Sequence, residues 1–205
     1  MIENNNIEYW QKMAGFYTPF MKNNKKVYEA ICREVEPELN HEMTVLELAC
    51  GTGQLSFPLA PKTAHWEATD FSEQMIKEAK KRVKSNKLFF SVQDATKLPY
   101  ADNSFDAVMI ANALHIMPEP EKALREIHRV LKDQGYLFVP NFVQLPDRKM
   151  SIRMKFLKLT GFKTYHKWDA GELISFISEN GFSIQKYSLI LEGFQPLCNV
   201  IAQKR

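Results

Sequence analysis

The residues best suited to chemistry begin at Cys50-Gly51-Thr52-Gly53, directly after the apolar run from Thr44 to Ala49. Glycine lets a backbone turn sharply and lets a ligand approach with no Cβ in the way. The segment Gln54 to Ala60 can begin a helix, and the first N–H groups of a helix, lacking intrahelical partners, attract an anionic group. A strand, a glycine turn and a helix start, in that order, form a nucleotide site. Gly-x-Gly alone is a weak signal, because tight turns use glycine for purely structural reasons. Asp70 strengthens it: it follows Gly51 by nineteen residues, close to the interval of about 20 at which a doubly wound fold sets a carboxylate against a ribose.

Composition narrows the classes of function. The chain has 205 residues, 45% of them hydrophobic, and a formal net charge of +3, enough length to bury a core and too little charge to imply nucleic acid or a membrane surface. Cys32, Cys50 and Cys198 are odd in number, far apart and form no C-x-x-C, which argues against a disulfide framework and against a metal site. Met1 to Asn6 lacks the basic and apolar regions of a signal peptide, and no apolar run approaches the roughly 20 residues needed to span a bilayer. A cytoplasmic protein without stable membrane insertion is expected.

These residues need elements to hold them. Residues 7–40 read as helical, with Ile7, Trp10, Ala14, Tyr17 and Phe20 recurring at helical spacing, then Val27, Ala30, Ile31 and Val35, with Pro37 as a stop. Thr44–Ala49 is a strand buried on both faces, His65–Thr69 a second, Leu88–Val92 a third closing at Asp94, and Phe105–Ile110 a fourth. Ser72 is placed to cap a helix carrying Met75, Ile76, Ala79 and Val83 on one face. A helix spans Glu121–Lys132 with Gly135 as its stop, and Tyr136–Phe142 is a fifth strand. Alternating strands and helices call for a mostly parallel sheet. The tail differs: Asp169 caps a helix through Glu179, and Phe182–Leu191 and Leu197–Ala202 are joined by a link too short for a crossover, hence antiparallel. The expected fold is α/β, a doubly wound, seven-stranded mixed sheet with an antiparallel C-terminal hairpin. Its organisation is one domain: an N-terminal helical cap (1–40), a cofactor-binding core (44–142), a lid insertion (143–168) and a C-terminal helix and hairpin (169–205).

Together, Val45-Leu46-Glu47-Leu48-Ala49-Cys50-Gly51-Thr52-Gly53, Asp70-Phe71-Ser72 with Met75, Asp94-Ala95, Leu98-Pro99-Tyr100, Ser104-Phe105-Asp106 and Ala113-Leu114-His115 resemble the class I S-adenosylmethionine-dependent methyltransferases. The likeness is to the small-molecule group that includes the ubiquinone/menaquinone-biosynthesis enzymes. One departure is visible: Ala49 stands where that family's loop often has its first glycine. The resemblance implies S-adenosylmethionine as cofactor, a small-molecule acceptor and no nucleic-acid partner. It also implies roles: Ala49, Cys50, Gly51 and Gly53 around the methionine portion, Glu47 near its ammonium, Asp70 on the ribose hydroxyls, Phe71 and Met75 flanking adenine, Asp94 and the Ala95 amide reading its edge, and Asn112 closing the methionine end.

Methyl transfer from a sulfonium has a good leaving group already, so alignment and exclusion of water matter most. If the acceptor must lose a proton early, His115, just past the fourth strand, is the best-placed base, with a structural or orienting role as the competing reading. Tyr17 and Trp10 could line the acceptor site or anchor their helix in the core. Residues 148–167 carry Arg148, Lys149, Arg153, Lys155, Lys158, Lys163 and Lys167 with no acidic residue, a pattern fitting a lid over an apolar or anionic acceptor, with peripheral lipid contact, or an ordinary solvated face. A nicotinamide oxidoreductase is the nearest rival enzyme, but no tyrosine has a lysine four residues on. A non-catalytic module that binds S-adenosylmethionine stays open.

Overall fold

The computed structural model describes residues 9–15, 24–145, 163–193 and 195–205. Seven strands, β1 (Thr44–Leu48), β2 (His65–Asp70), β3 (Leu88–Val92), β4 (Phe105–Ile110), β5 (Leu131–Phe142), β6 (Phe182–Ile190) and β7 (Leu197–Lys204), form one sheet. Their spatial order is β3-β2-β1-β4-β5-β7-β6. The first five are mutually parallel, and β7 lies antiparallel to both β5 and β6. The sheet is therefore the mixed, doubly wound one expected, and the short 191–196 link makes the terminal hairpin for the reason given above.

Among the described residues, α1 (Lys25–Val35), α2 (Ser56–Leu59), α3 (Glu73–Lys80), α4 (Pro120–Val130) and α5 (Ala170–Glu179) pack on it. Residues 9–15 are helical as well. Alternate residues of a strand face opposite sides, and both sides of β1 and β4 are covered. Leu46, Leu48, Val108 and Ile110 pack with Leu124 and Ile127 of α4 and with Leu173 and Ile177 of α5. Val45, Ala107, Met109 and Trp66 pack with Ile31 and Val35 of α1 and Ile76 and Ala79 of α3. Two caps act as expected. Ser72 accepts from the Met75 N–H at 3.3 Å, and Asp169 forms a reciprocal capping box with Glu172. α1 is also tied across the chain, since Glu34 Oε2 accepts from Ser188 Oγ at 2.6 Å and from Asn199 Nδ2 at 2.7 Å.

Three local expectations change. The helix after the glycine loop is a single turn, α2, followed by a 3₁₀ turn at Ala60–Lys62; Pro58 and Pro61 lack the N–H groups a longer helix would use. α3 ends at Lys80, short of Val83. α4 stops at Val130 and the chain turns extended at Leu131, so Gly135 is not its stop. The left-handed residue is Gln134, at φ 61°. Gly135 is small for another reason: a Cβ there would lie 2.8 Å from Lys132 O and 3.0 Å from Asp106 O. Tyr17, Phe20 and residues 146–162 of the expected lid lie outside the described residues. No helix among those described is long and apolar enough to cross a membrane.

Two of the three close contacts at Gly135 are with backbone oxygens that cannot swing aside; the third is with Leu131 Cδ2 at 2.9 Å. Gly135→Ala is expected to cost about 1–3 kcal/mol, as overpacking does, read as a lower urea midpoint at unchanged slope.

Candidate functional site

In the strand order β3-β2-β1-β4-β5, successive connections run outward in opposite directions from the β1/β4 boundary. Open α/β sheets bind ligands at such a switch point, beyond the C-terminal strand ends. The C-terminal ends of β1, β2, β3 and β4 and the segments that follow them carry the described residues assigned above to the cofactor and His115.

The loop after β1 rests on three left-handed residues, Ala49, Gly51 and Gly53, with φ 53°, 57° and 86°. The alternation lets the chain turn tightly after β1, with its amides at Cys50, Gly51 and Gly53 bonded inside the protein. Cys50 N–H donates to Thr69 O at 2.9 Å and Gly53 N–H to Cys50 O at 3.0 Å. Gly53 is doubly constrained, because a Cβ would lie 2.8 Å from Phe57 Cε2 and 3.1 Å from Phe90 Cζ. Ala49 has entered the left-handed region with its methyl group, at a cost of about 1–2 kcal/mol.

Beneath this loop Glu47 is 1% exposed. Its Oε2 accepts from Ser56 Oγ at 2.5 Å and Trp66 Nε1 at 2.9 Å. Burial pushes its carboxyl up to about 7, against the pull of those two donors. Asp70 joins the first two loops: Oδ2 accepts from Gly51 N–H and Oδ1 from Ser72 N–H, each at 2.8 Å. Burial raises its pKa while the two amides oppose the shift. Each carboxylate oxygen keeps a lone pair for a further donor.

Phe71 is 44% exposed at the mouth and Met75 is buried. Asp94 is exposed, and its Oδ1 accepts from Thr96 N–H at 2.8 Å and Thr96 Oγ1 at 2.7 Å; Ala95 packs against the core. Asn112 is left-handed at φ 52° and donates its N–H to Pro140 O at 2.8 Å, while its Oδ1 is buried without a hydrogen-bond partner. That atom is an acceptor awaiting a donor.

His115 is buried, with Nδ1 3.0 Å from Asn141 Oδ1. Asn141 Nδ2 donates to Phe142 O at 3.0 Å, so Oδ1 is the accepting end and His115 carries its proton on Nδ1. Nε2 is then the ring's lone-pair side. Burial pushes this imidazole down to about 4, with the Asn141 bond opposing and His166 adding to the shift. The His115 carbonyl accepts from Tyr165 and His166 N–H at 3.0 and 3.1 Å, which brings the segment after 162 onto the site. Asn141, Ser56 and Trp66 were missed in the sequence. Only Asn141 left a signal there, as a lone amide in an otherwise apolar strand end.

Replacing Ala49 by glycine should remove the left-handed penalty and add back about 0.5–1 kcal/mol of glycine's chain entropy. The expected outcome is a gain of up to about 1.5 kcal/mol, seen as a higher urea midpoint. The buried Glu47 gives a pH signature. Between its ordinary 4.5 and about 7, the folded chain keeps a proton the unfolded chain has released, so this group's contribution to stability falls as pH rises. His115 acts oppositely between about 4 and 6.5, where the unfolded imidazole is the better proton binder. The difference between parent and Glu47→Gln isolates the first effect: the parent's relative stability should decline from pH 4.5 to about 7 and then level. A difference that is flat with pH would refute the assignment.

The comparisons with known proteins agree with this geometry. The family described as "Methyltransferase domain" matches residues 46–139. The chain is 38% identical to a demethylmenaquinone methyltransferase of Clavibacter sepedonicus over 152 residues, which cover 74% of this chain and 58% of that one. It is 31% identical to a ubiquinone/menaquinone biosynthesis C-methyltransferase of Rickettsia akari over 168 residues, 72% of this chain and 67% of that one. The chain spans between 38% and 58% of the length of three demethylmenaquinone methyltransferases it matches. Among solved structures, magnesium protoporphyrin IX methyltransferase of Synechocystis, with bound SAH, superposes with a TM-score of 0.68 at 21% identity, covering 89% of this chain and 84% of that one. The chain belongs to the class I S-adenosylmethionine-dependent methyltransferases, in the group of the ubiquinone/menaquinone-biosynthesis enzymes.

Proposed function

We propose that this protein transfers a methyl group from S-adenosylmethionine to a small-molecule acceptor, apolar or anionic in character. The observation that carries the reading is the bond between Gly51 N–H and Asp70 Oδ2, which locks the glycine loop and the acidic strand end into one unit at the switch point. The residues present fit the cofactor. Gly51 and Gly53, whose own N–H groups are bonded within the chain, leave room without a Cβ for the methionine portion, and the unpartnered Asn112 Oδ1 suits its ammonium. Asp70 keeps lone pairs for the two ribose hydroxyls, with Phe71 and Met75 flanking adenine and Asp94 and Ala95 at its edge. Glu47 acts in this reading through its brace on Ser56 and Trp66, reaching the ammonium only through intervening groups.

The cofactor supplies an activated methyl group; the chain's own task is to align the acceptor and keep water out. His115, neutral at pH 7, is poorly matched to general-base work, which favours a pKa near the working pH. Its Nε2 lone pair is suited to receiving a hydrogen bond from the acceptor and orienting it; Tyr17, outside the described residues, is proposed from the sequence alone to line the acceptor site.

Calorimetric titration with S-adenosylmethionine and its demethylated product should give heat with both, and incubation with quinols, phenols, thiols and lipids should release the demethylated product with one class. No heat with either ligand, together with tight NAD binding, would overturn the proposal. Asp70→Asn keeps one acceptor oxygen and should weaken cofactor binding by about 1.5–3 kcal/mol while the chain stays folded by circular dichroism.

A further inference from the structure

At β6 the sheet is left open. Among the described residues β6 pairs with β7 alone, so its outer row of N–H and C=O groups has no partner strand. Natural edges are guarded by charges, bulges or cover. Here a register shift between Ile184 and Lys186, with exposed Gln185 and Lys186, guards only the first half. Beyond it Tyr187, Leu189 and Leu191 are 58%, 45% and 52% exposed. They alternate with Ser188, which bonds Glu34 of α1, and Ile190, which is buried in the core. Three large apolar side chains thus share the one side of this edge that is uncovered.

We infer that this edge pairs antiparallel with the same edge of a second copy, about a two-fold axis at Leu189. A two-fold contact must be self-complementary, and this sequence is so in one register. With Leu189 opposite itself, Tyr187 meets Leu191 of the second copy, and the apolar row closes on itself. The same register sets Lys186 opposite Glu192, which lies in the bend just past the strand, and symmetry repeats the pair. Both side chains are exposed. Moving the axis to Ser188 sets Lys186 against Ile190 and Gln185 against Leu191; moving it to Ile190 sets Glu192 against Ser188. Only the Leu189 axis satisfies both charge and apolar pattern. One strand edge is a small contact by the standards of stable pairs, so the dimer forms at high protein concentration.

Sedimentation velocity across rising concentrations of the full chain tests this. The parent should pass from monomer to dimer. Leu189→Lys, which sets two like charges face to face, should leave it monomeric. Lys186→Glu or Glu192→Lys alone should weaken dimerisation by roughly tenfold, since each creates two like-charge pairs, and the double exchange should restore it. Leu189→Cys should give a disulfide-linked dimer under mild oxidation that Gln185→Cys does not; Cys50 and Cys198 are buried, and the parent serves as the blank for Cys32. A parent monomeric throughout, or a dimer indifferent to Leu189→Lys and to the charge exchange, would overturn the inference. All positions are exposed, so unchanged circular dichroism is expected and separates lost pairing from lost folding.

Discussion

Everything at the mouth of the sheet depends on one backbone constraint: three left-handed residues, each separated from the next by one other, at 49, 51 and 53. That alternation turns the chain directly after β1 and brings Cys50 N–H onto Thr69 O and Gly51 N–H onto the Asp70 carboxylate. Two of the three positions are glycine, where the conformation is nearly free. The third is alanine, and the chain tolerates its cost because the surroundings over-determine it: Cys50 is bonded to Thr69 on one side and to Gly53 on the other. Strain of this kind persists only where neighbouring structure enforces it.

The turn sits over a buried carboxylate, and that is the second physical feature of the site. Burying Glu47 is expensive unless it is partnered or protonated. The chain uses both routes, giving it the Ser56 hydroxyl and the Trp66 indole and letting its pKa climb. Asp70, at the end of the neighbouring strand, meets burial with backbone amides as its donors, and its carboxyl is raised as well. His115 answers the same pressure in the other direction, by giving up its charge. Three ionisable groups thus meet burial in three ways, and each way leaves a distinct capacity for hydrogen bonding.

Much of this was legible beforehand because it follows from period and punctuation. Strands β3 and β4 fall on the expected residues, since each is a short, mostly apolar run bounded by turn formers, and Ser72 and Asp169 announce their helices as caps. The hairpin was readable from the length of its link alone. What was not legible depends on contacts between distant residues. The truncation of α2 comes from prolines whose effect on a short amphipathic stretch competes with its apolar pattern. The role of Gly135 lies in carbonyls of Lys132 and Asp106 that spacing cannot reveal. The partners of Glu47 and His115 come from β2, α2 and β5, joined only by folding, so no local pattern could name Trp66, Ser56 or Asn141.

The place of β7 has a consequence for how the molecule is made. This strand follows β6 in the chain yet lies between β5 and β6, hydrogen-bonded to both. Asn199 on it also holds Glu34, 165 residues earlier. During synthesis β5 must therefore wait with one edge bare, and Glu34 one donor short, until β7 has left the ribosome. Such long-range closure is slow and leaves sticky edges exposed meanwhile. The two parts of the sheet, β1 to β5 and the β6 edge, are thus joined by a strand made after both of them.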